Sequence, residues 1–309
     1  MTKRGKMAQM KKKYGATAID NGLRLNPRDF AAMLKWRDEL DPQYAKLWLD
    51  YTYGGLYHRG VLTERVRLLV AIAQAIAIDE MELLESHIYS ALKHEAAQRE
   101  ILEVILQMTV YLGSPKITRA ARVFRKIITK LGRMKEIKRT QPPIEGRNAE
   151  RSLEKERPTW RVPDERFPLR EALLKKYGWY GISAGLRLQP THHAEGVTQL
   201  DRVDQNFLKL WLDFIYAGMY VRGVLDDKTR LLCMVGACAV IDEQVQGENH
   251  LRAAIMLGAT PREVLEVLLH STIYAGMPRS LRAMRQFENI LTELGRTAEL
   301  YDTQLPLVL

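Results

Sequence analysis

The chain has 309 residues, of which 46% are hydrophobic and 27% charged, and its formal net charge is +10. The longest apolar runs, Leu68–Ile78 and Leu231–Ile241, are shorter than the roughly 20 residues that cross a bilayer, and the basic N-terminus lacks the apolar segment of a secretory signal. Because no nucleic-acid motif accompanies the positive charge, we expect a soluble, cytoplasmic protein with neither a membrane nor a nucleic acid as partner.

An internal repeat organises the chain. Residues 14–133 align with residues 177–296 at a constant offset and without a gap, and Arg59–Leu62 is identical to Arg222–Leu225. A gapless register over this length indicates two copies of one folded unit. The predicted organisation is a basic N-terminal tail over 1–13, repeat 1 over 14–134, a linker over 135–166, repeat 2 over 167–300 and a C-terminal tail over 301–309.

Apolar residues recur at three- and four-residue spacing in both repeats, and strand signals are nearly absent. Leu68, Leu69 and Ile72 show this spacing in repeat 1, and Leu231 and Leu232 begin the same pattern in repeat 2. The sequence therefore predicts an all-α fold of two tandem helical bundle domains, each with a core of its own.

One turn differs between the repeats. In repeat 2, Gly258 is suited to end a helix, and Thr260–Glu263 is a capping box with proline at the first helical position. Glu95 and Ala97 stand at the positions of Gly258 and Thr260 in repeat 1. We therefore expect the loop of repeat 1 to be built differently.

Several kinds of chemistry are not indicated. Cys233 and Cys238 share one apolar run and form no CxxC motif, so we expect packed, reduced thiols. Zinc-binding patterns, glycine-rich phosphate loops and a nucleophile elbow are missing from the sequence. We expect no metal and no cofactor, which leaves acid–base residues and cations to carry any reaction.

Each repeat has a carboxylate seven residues before a histidine. Glu80 and His87 in repeat 1 correspond to Glu243 and His250 in repeat 2. Residues seven apart share one helix face, about 10 Å apart along the axis. An imidazole and a carboxylate that border one cavity are suited to proton transfer, and the alternative is a buried histidine with a purely structural role.

Arginines recur near these histidines. Arg59 and Arg67 in repeat 1 correspond to Arg222 and Arg230 in repeat 2, and a guanidinium can hold a carboxylate through two parallel hydrogen bonds. The alternative is an ion pair within the protein. Tyr220 and Tyr274 are further candidates for substrate binding, with a place in the core as their alternative.

These residues, taken as an ordered set, resemble the carboxymuconolactone decarboxylase family, part of the wider AhpD-like all-helical group. The resemblance implies a helical fold that assembles into rings of dimers or trimers, and cofactor-independent decarboxylation of a lactone acid in aromatic catabolism. The matching residues are Gly218, Arg222, Leu225, Arg230, His250, Ala254, Gly258, Glu263 and Tyr274–Pro278 in repeat 2, and Gly55, Arg59, Leu62, Arg67, His87, Ala91, Glu100 and Tyr111–Pro115 in repeat 1.

Two departures from the family pattern bear on chemistry. The peroxidase branch carries cysteines seven and four residues before the histidine, and here those positions hold no cysteine, which excludes thiol peroxidase chemistry of that kind. Members of the decarboxylase branch commonly carry glutamate four residues before the histidine, where Leu83 and Gln246 stand in this chain. The second departure suggests a divergent substrate.

The sequence thus favours an acid–base enzyme acting on a small carboxylated lactone or enol-type acid. Arg222 and Arg230 would hold the substrate, His250 would move the proton and Glu243 would be the second titrating group. We expect repeat 1 to be weaker or silent. An isomerase or lactone-opening enzyme of the same fold and a non-catalytic helical scaffold or ligand-binding protein are the alternatives.

Overall fold

A computed structural model describes residues 3–142, 170–189 and 192–305. Throughout these ranges the regular structure is helical and no β-strand occurs, which confirms the predicted all-α fold. None of the helices in the described ranges has the length and apolarity needed to cross a bilayer.

Nine α-helices are described before residue 143, and a short π-helical turn over Asp50–Gly55 follows the fourth. They are α1 (Lys3–Tyr14), α2 (Ala16–Leu25), α3 (Phe30–Leu40), α4 (Pro42–Leu49), α5 (Glu64–Ala77), α6 (Met81–Lys93), α7 (Gln98–Gln107), α8 (Thr109–Lys130) and α9 (Met134–Arg139).

The described helices after residue 169 follow the same order, again with a π-helical turn, over Ile215–Met219. They are α10 (Arg170–Tyr177), α11 (Trp179–Leu188), α12 (His193–Val203), α13 (Gln205–Phe214), α14 (Asp227–Ile241), α15 (Gln244–Met256), α16 (Pro261–Ala275), α17 (Met277–Glu293) and α18 (Thr297–Tyr301).

The structure describes parts of the segments that flank the repeats. The basic N-terminal stretch is helical from Lys3, and Met7 and Met10, which lie one turn apart on α1, pack against the core of the first helices. The predicted linker begins with helix α9. Its residues 143–166, and residues 306–309 of the predicted C-terminal tail, lie outside the described residues.

The expectation of a separate core in each repeat is wrong. One continuous hydrophobic cluster contains buried residues of both repeats, from Leu62 to Ile128 and from Leu173 to Leu300. A second, smaller cluster lies in the N-terminal helices and includes Phe30. The repeats share a core because their most apolar helices, α5 and α14, pack directly on each other.

Gly236 allows the close approach of α5 and α14. A Cβ atom at this position would lie 2.9 Å from Cγ1 of Val70 and 3.2 Å from Nε2 of Gln74. Gln74 in turn donates a 2.8 Å hydrogen bond to the hydroxyl of Ser271 on α16. A side chain at Gly236 would therefore push the two repeats apart.

The turn after α6 retains the backbone of its counterpart, so the expectation of a differently built loop is wrong. Glu95 has a φ of 66°, and Gly258 has a φ of 93°. The backbone N–H of Ala97 donates to Glu100 over 2.8 Å, as that of Thr260 donates to Glu263. Repeat 1 thus keeps the conformation without the glycine and without the side-chain half of the capping box.

Candidate active site at the contact between the repeats

Two glycines explain why the segment before the helix that carries Arg230 has the same shape as its counterpart in repeat 1. A Cβ atom on Gly218, inside the π-helical turn, would lie 2.7 Å from the carbonyl oxygen of Asp213. Gly223 has a φ of 66°, and its counterpart Gly60 has a φ of 68°. Positive φ is easily adopted only by glycine. The turn therefore places Tyr220 and Arg222 in the same way that its counterpart places the residues of repeat 1.

His250 is fully buried in α15, and its nearest polar partner comes from the other repeat. Its Nε2 atom lies 2.8 Å from the hydroxyl of Tyr111, which belongs to repeat 1. That hydroxyl lies 3.0 Å from the hydroxyl of Tyr220. The three side chains form one hydrogen-bonded chain across the contact between the repeats.

Two guanidinium groups lie beside this chain, and both approach one buried carboxylate. Arg222 donates from Nε to both oxygens of Glu103, at 3.1 and 2.9 Å. Nη2 of Arg230 lies 3.7 Å from Oε1 of Glu103, and neither side chain is exposed. The guanidinium carbon of Arg230 is 5.6 Å from the centre of the Tyr220 ring. Because Glu103 lies on α7, the cation cluster also spans both repeats.

Gln107 completes the surroundings of Arg230. Its Oε1 atom accepts a 2.9 Å hydrogen bond from Nη1 of Arg230. We name the set His250, Tyr220, Arg222, Arg230, Glu103, Gln107 and Tyr111 the His250 site.

The equivalent residues form a second arrangement with the roles of the repeats reversed. Nε2 of His87 lies 3.0 Å from the hydroxyl of Tyr274, which lies 3.5 Å from the hydroxyl of Tyr57. Arg59 donates to Glu266 over 2.8 Å. We name the set His87, Tyr57, Arg59, Arg67, Glu266, His270 and Tyr274 the His87 site. The two sites are thus related by the internal repeat, and each draws residues from both copies.

The carboxylates suggested by the sequence are placed elsewhere. Glu243 precedes α15, and its side chain accepts from the backbone N–H groups of Val245 and Gln246, as an N-cap does. It borders a small cavity with Cys238 and other residues, and His250 is not part of that lining. Glu80 holds the matching position before α6 and is exposed. The carboxylate beside the guanidinium groups is Glu103, or Glu266 in the second site.

Tyr274, a candidate for substrate binding, contacts His87 of the other repeat. The contact depends on the helix end, because α16 stops at Gly276, which has a φ of 76°. Gly113 has a φ of 74° and kinks α8 just after Tyr111. The glycine two residues after each tyrosine therefore ends the helical turn that presents the phenol.

The sequence analysis did not select three residues in each site: Tyr111, Glu103 and Gln107 in the His250 site, and Tyr57, Glu266 and His270 in the His87 site. A signal existed for three of the positions, since Glu103 and Glu266 are identical across the repeat, as are Tyr111 and Tyr274, and Tyr57 and Tyr220. Gln107 and His270 differ, so repeat identity could not reveal them.

Burial sets the protonation of the His250 site. It lowers the pKa of His250 to about 4, against a smaller opposite effect of the Leu188 backbone. Burial also raises the pKa of Tyr220 to about 12 and that of Tyr111 well above its usual value. At neutral pH the imidazole is therefore uncharged and both phenols are protonated.

Burial has the same effects at the His87 site, where it lowers the pKa of His87 to about 4. At Glu266, burial alone would raise the pKa, but hydrogen bonds from His270 and Arg59 outweigh it and lower the pKa. Burial lowers the pKa of His270, and the contact with Glu266 offsets part of that effect.

Other reactive groups do not contribute to either site. Cys233 and Cys238 are free and buried, and burial raises the pKa of both thiols. Within the described ranges, no three side chains among His, Cys, Asp and Glu are grouped so that they could hold a metal ion. An all-helical protein with paired sites of imidazole, phenol and guanidinium groups is suited to acid–base chemistry or to anion binding.

Comparison with known proteins agrees with this class of site. The model of the carboxymuconolactone decarboxylase family matches residues 42–126 and 205–289, which together make up more than half of the chain. The chain therefore belongs to the carboxymuconolactone decarboxylase family, with one family domain in each repeat.

Two curated relatives are similar to part of the chain. The 4-carboxymuconolactone decarboxylase of Acinetobacter baylyi is 29% identical over 108 residues, which cover 35% of this chain and 81% of the relative. An uncharacterized 15.0 kDa protein of Paracoccus denitrificans is 27% identical over 93 residues, or 29% of this chain and 66% of the relative. Both alignments are shorter than one repeat.

Proposed function

We propose that the protein is a cofactor-independent acid–base enzyme that acts on a small carboxylated lactone or enol-type acid, with decarboxylation as its reaction. The observation that carries this proposal is the contact of Tyr111 with the buried His250, close to the buried Arg230. Family membership and the name of the Acinetobacter relative support the substrate class. By the same resemblance, the substrate would arise in the breakdown of aromatic compounds.

His250 and Tyr111 would carry the proton. When the bond to the carboxyl carbon breaks, its electron pair moves into the conjugated carbonyl of the substrate, and carbon dioxide leaves. The resulting enolate must gain a proton at carbon. A neutral imidazole that shares a hydrogen bond with a protonated phenol can accept one proton and pass another on, so this pair is suited to that step.

Arg222 and Arg230 would stabilise the negative charge of the reaction. The substrate begins as a carboxylate, and the charge moves onto an enolate oxygen as carbon dioxide departs. Two guanidinium groups that share a single carboxylate, Glu103, leave the cluster with one excess positive charge. In a buried site this charge strongly favours an anion.

We propose that the His87 site is weaker than the His250 site in turnover, or silent. The hydroxyls of Tyr274 and Tyr57 are 3.5 Å apart, at the limit of a hydrogen bond, whereas those of Tyr111 and Tyr220 are 3.0 Å apart. The chain of hydrogen bonds that would carry the proton is therefore weaker there.

Gln246 favours a second candidate, an isomerase or lactone-opening reaction without loss of carbon dioxide. An amide stands where the family resemblance leads one to expect glutamate. Its Oε1 atom accepts a 2.8 Å hydrogen bond from Gln189, whose Oε1 accepts one from Tyr216. This fixed amide cannot titrate, so His250 would act without a carboxylate as the second titrating group.

We also propose that the protein assembles with copies of itself, as the family resemblance implies. Two corresponding segments, α4 with the π-helical turn after it and α13, carry matching stripes of exposed apolar residues, which are Tyr44, Leu47 and Tyr51 on one and Phe207, Leu210 and Phe214 on the other. Exposed apolar stripes of this kind mark interaction surfaces. Light scattering after gel filtration should give a mass above that of the 35.6 kDa monomer, and Leu210→Glu should lower it.

The test is turnover of 4-carboxymuconolactone and related lactone acids, with gas release and ring opening measured separately. General acid–base catalysis contributes about 10²–10⁴-fold in rate, so His250→Ala should lose activity on that scale while the protein stays folded. His87→Ala should lose less. Full activity of His250→Ala would refute the assignment of His250. Failure of every lactone acid to react or to raise the melting temperature would favour a non-catalytic scaffold.

A further inference from the structure

The two sites are identical at six of their seven positions, and the exception is Gln107, which is replaced by His270 in the His87 site. We propose that this exchange determines anion binding: the His250 site binds a carboxylate ligand, and the His87 site does not. The ligand class rests on the proposed function, but the asymmetry between the sites follows from their hydrogen bonds.

Gln107 sets the orientation of the donors in the His250 site. A guanidinium can only donate, so the group of Gln107 that faces Nη1 of Arg230 must be its amide oxygen, 2.9 Å away. The amide nitrogen then points elsewhere, and within the described ranges it is buried without a hydrogen-bond partner. Gln107 therefore both fixes Arg230 and adds a free donor.

Arg230 adds further donors. Among the described residues, its Nε and Nη2 atoms are also buried without hydrogen-bond partners, and an ion pair at 3.7 Å joins Nη2 to Glu103. Buried donors are nearly always paired. Three N–H-bearing nitrogens on two adjoining side chains therefore lack a hydrogen-bond acceptor, which the oxygens of a carboxylate ligand would supply.

In the His87 site, the guanidinium of Arg67 donates its hydrogen bonds to the protein backbone. Arg67 donates from Nη1 to the carbonyl of Leu56 over 3.1 Å, and from Nη2 to that of Leu62 over 3.4 Å. Only its Nε atom is buried without a hydrogen-bond partner in the described part of the chain, and Glu64 lies 3.9 Å from that atom. The backbone carbonyls thus occupy the arginine that would hold the ligand.

His270 maintains this state. Its Nε2 atom lies 3.2 Å from the same carbonyl of Leu56 and 3.4 Å from Glu266. Within the described ranges no hydrogen bond joins His270 to Arg67, and the guanidinium is left to the backbone. Where Gln107 presents an oxygen to the arginine and a free N–H to the site, His270 presents neither.

Access does not distinguish the two sites. Arg222 and Arg59 are the partly exposed members, with 28% and 27% of their side chains accessible. Both sites reach the surface in the same way, so a difference in binding would come from the donors within them.

The experiment is isothermal titration calorimetry of the full-length protein with γ-butyrolactone-γ-carboxylate, a saturated lactone acid that cannot form the conjugated enolate. Its uncharged methyl ester is the control ligand. We expect one carboxylate bound per chain and about tenfold weaker binding, or none, for the ester.

Reciprocal substitutions show which of the two sites binds the carboxylate. His270→Gln should bring the stoichiometry to two per chain, and Gln107→His should weaken binding by about tenfold or more. Gln107→Met, which keeps the volume but removes the amide, should do the same, and circular dichroism would check that each variant is folded.

Two equal sites in the parent protein, an unchanged stoichiometry in folded His270→Gln, or no binding of the carboxylate would overturn the proposal. A protein that binds one carboxylate per chain but turns over no lactone acid would refute the enzymatic function and leave this inference standing.

Discussion

The hydroxyl of Tyr111 in repeat 1 lies 2.8 Å from Nε2 of His250 in repeat 2. Neither repeat contains both members of this pair, and the same is true of His87 and Tyr274. A single repeat would therefore place its histidine beside a phenol only by pairing with another repeat. The tandem chain supplies that second repeat covalently.

The contact between α5 and α14 should be sensitive to the size of residue 236. Gly236→Val would place atoms within 3 Å of Val70, and overpacking of this kind costs about 1–3 kcal/mol. The free energy of unfolding, measured in urea, should fall by that amount. Gly196→Ala is the matched control, because a Cβ there meets no atom within 4 Å and alanine favours a helix. Equal stability of Gly236→Val and the parent would contradict the close packing.

A better N-cap residue before α7 should stabilise the protein. Ala97 has no side-chain acceptor for the backbone N–H of Glu100, whereas the hydroxyl of Thr260 accepts from that of Glu263 over 3.1 Å. An N-cap of this type is worth about 1 kcal/mol. Ala97→Thr should raise the free energy of unfolding by about this amount, and Thr260→Ala should lower it by a similar amount. A loss of stability in Ala97→Thr would show that the two turns differ.

The helical class and the internal repeat could be predicted because they depend on local pattern. Apolar spacing defines helices, and a gapless self-alignment requires equal folds. The family could be predicted as well, since Arg222, Arg230 and His250 keep their order and spacing. What failed was the assumption that each repeat has its own core, since the sequence does not say which apolar face meets another repeat.

The composition of the site could be predicted only in part. Spacing on one helix led to Glu243 as the second titrating group beside His250, but Glu243 caps the helix that carries the histidine. The observed contacts, of His250 with Tyr111 and of Arg222 with Glu103, join residues more than a hundred positions apart in the sequence. Helical periodicity carries information about one helix, whereas these contacts depend on how the two repeats pack.

Stability should fall as the pH is lowered through the range in which unfolded histidines gain protons. Burial holds the pKa of His250 and that of His87 at about 4, below the ordinary 6.5. Between these values the unfolded chain binds protons that the folded protein does not, so the stability present above pH 6.5 is lost toward pH 4.

From pH 7 to pH 5 the loss should be about 2 kcal/mol for each of these histidines. Urea denaturation at the two pH values measures it. In His250→Gln the difference between the two values should shrink by about one histidine's share. An unchanged difference would show that His250 does not titrate in this way.

The most direct test of the central claim is a double-mutant cycle between the repeats. The values of kcat/KM for gas release would be measured for the parent, His250→Ala, Tyr111→Phe and the double variant. If the two residues act as a unit in one proton transfer, the double variant should be no slower than the slower single variant. Losses that multiply, or a Tyr111→Phe protein as active as the parent, would contradict a proton-transfer pair shared between the repeats.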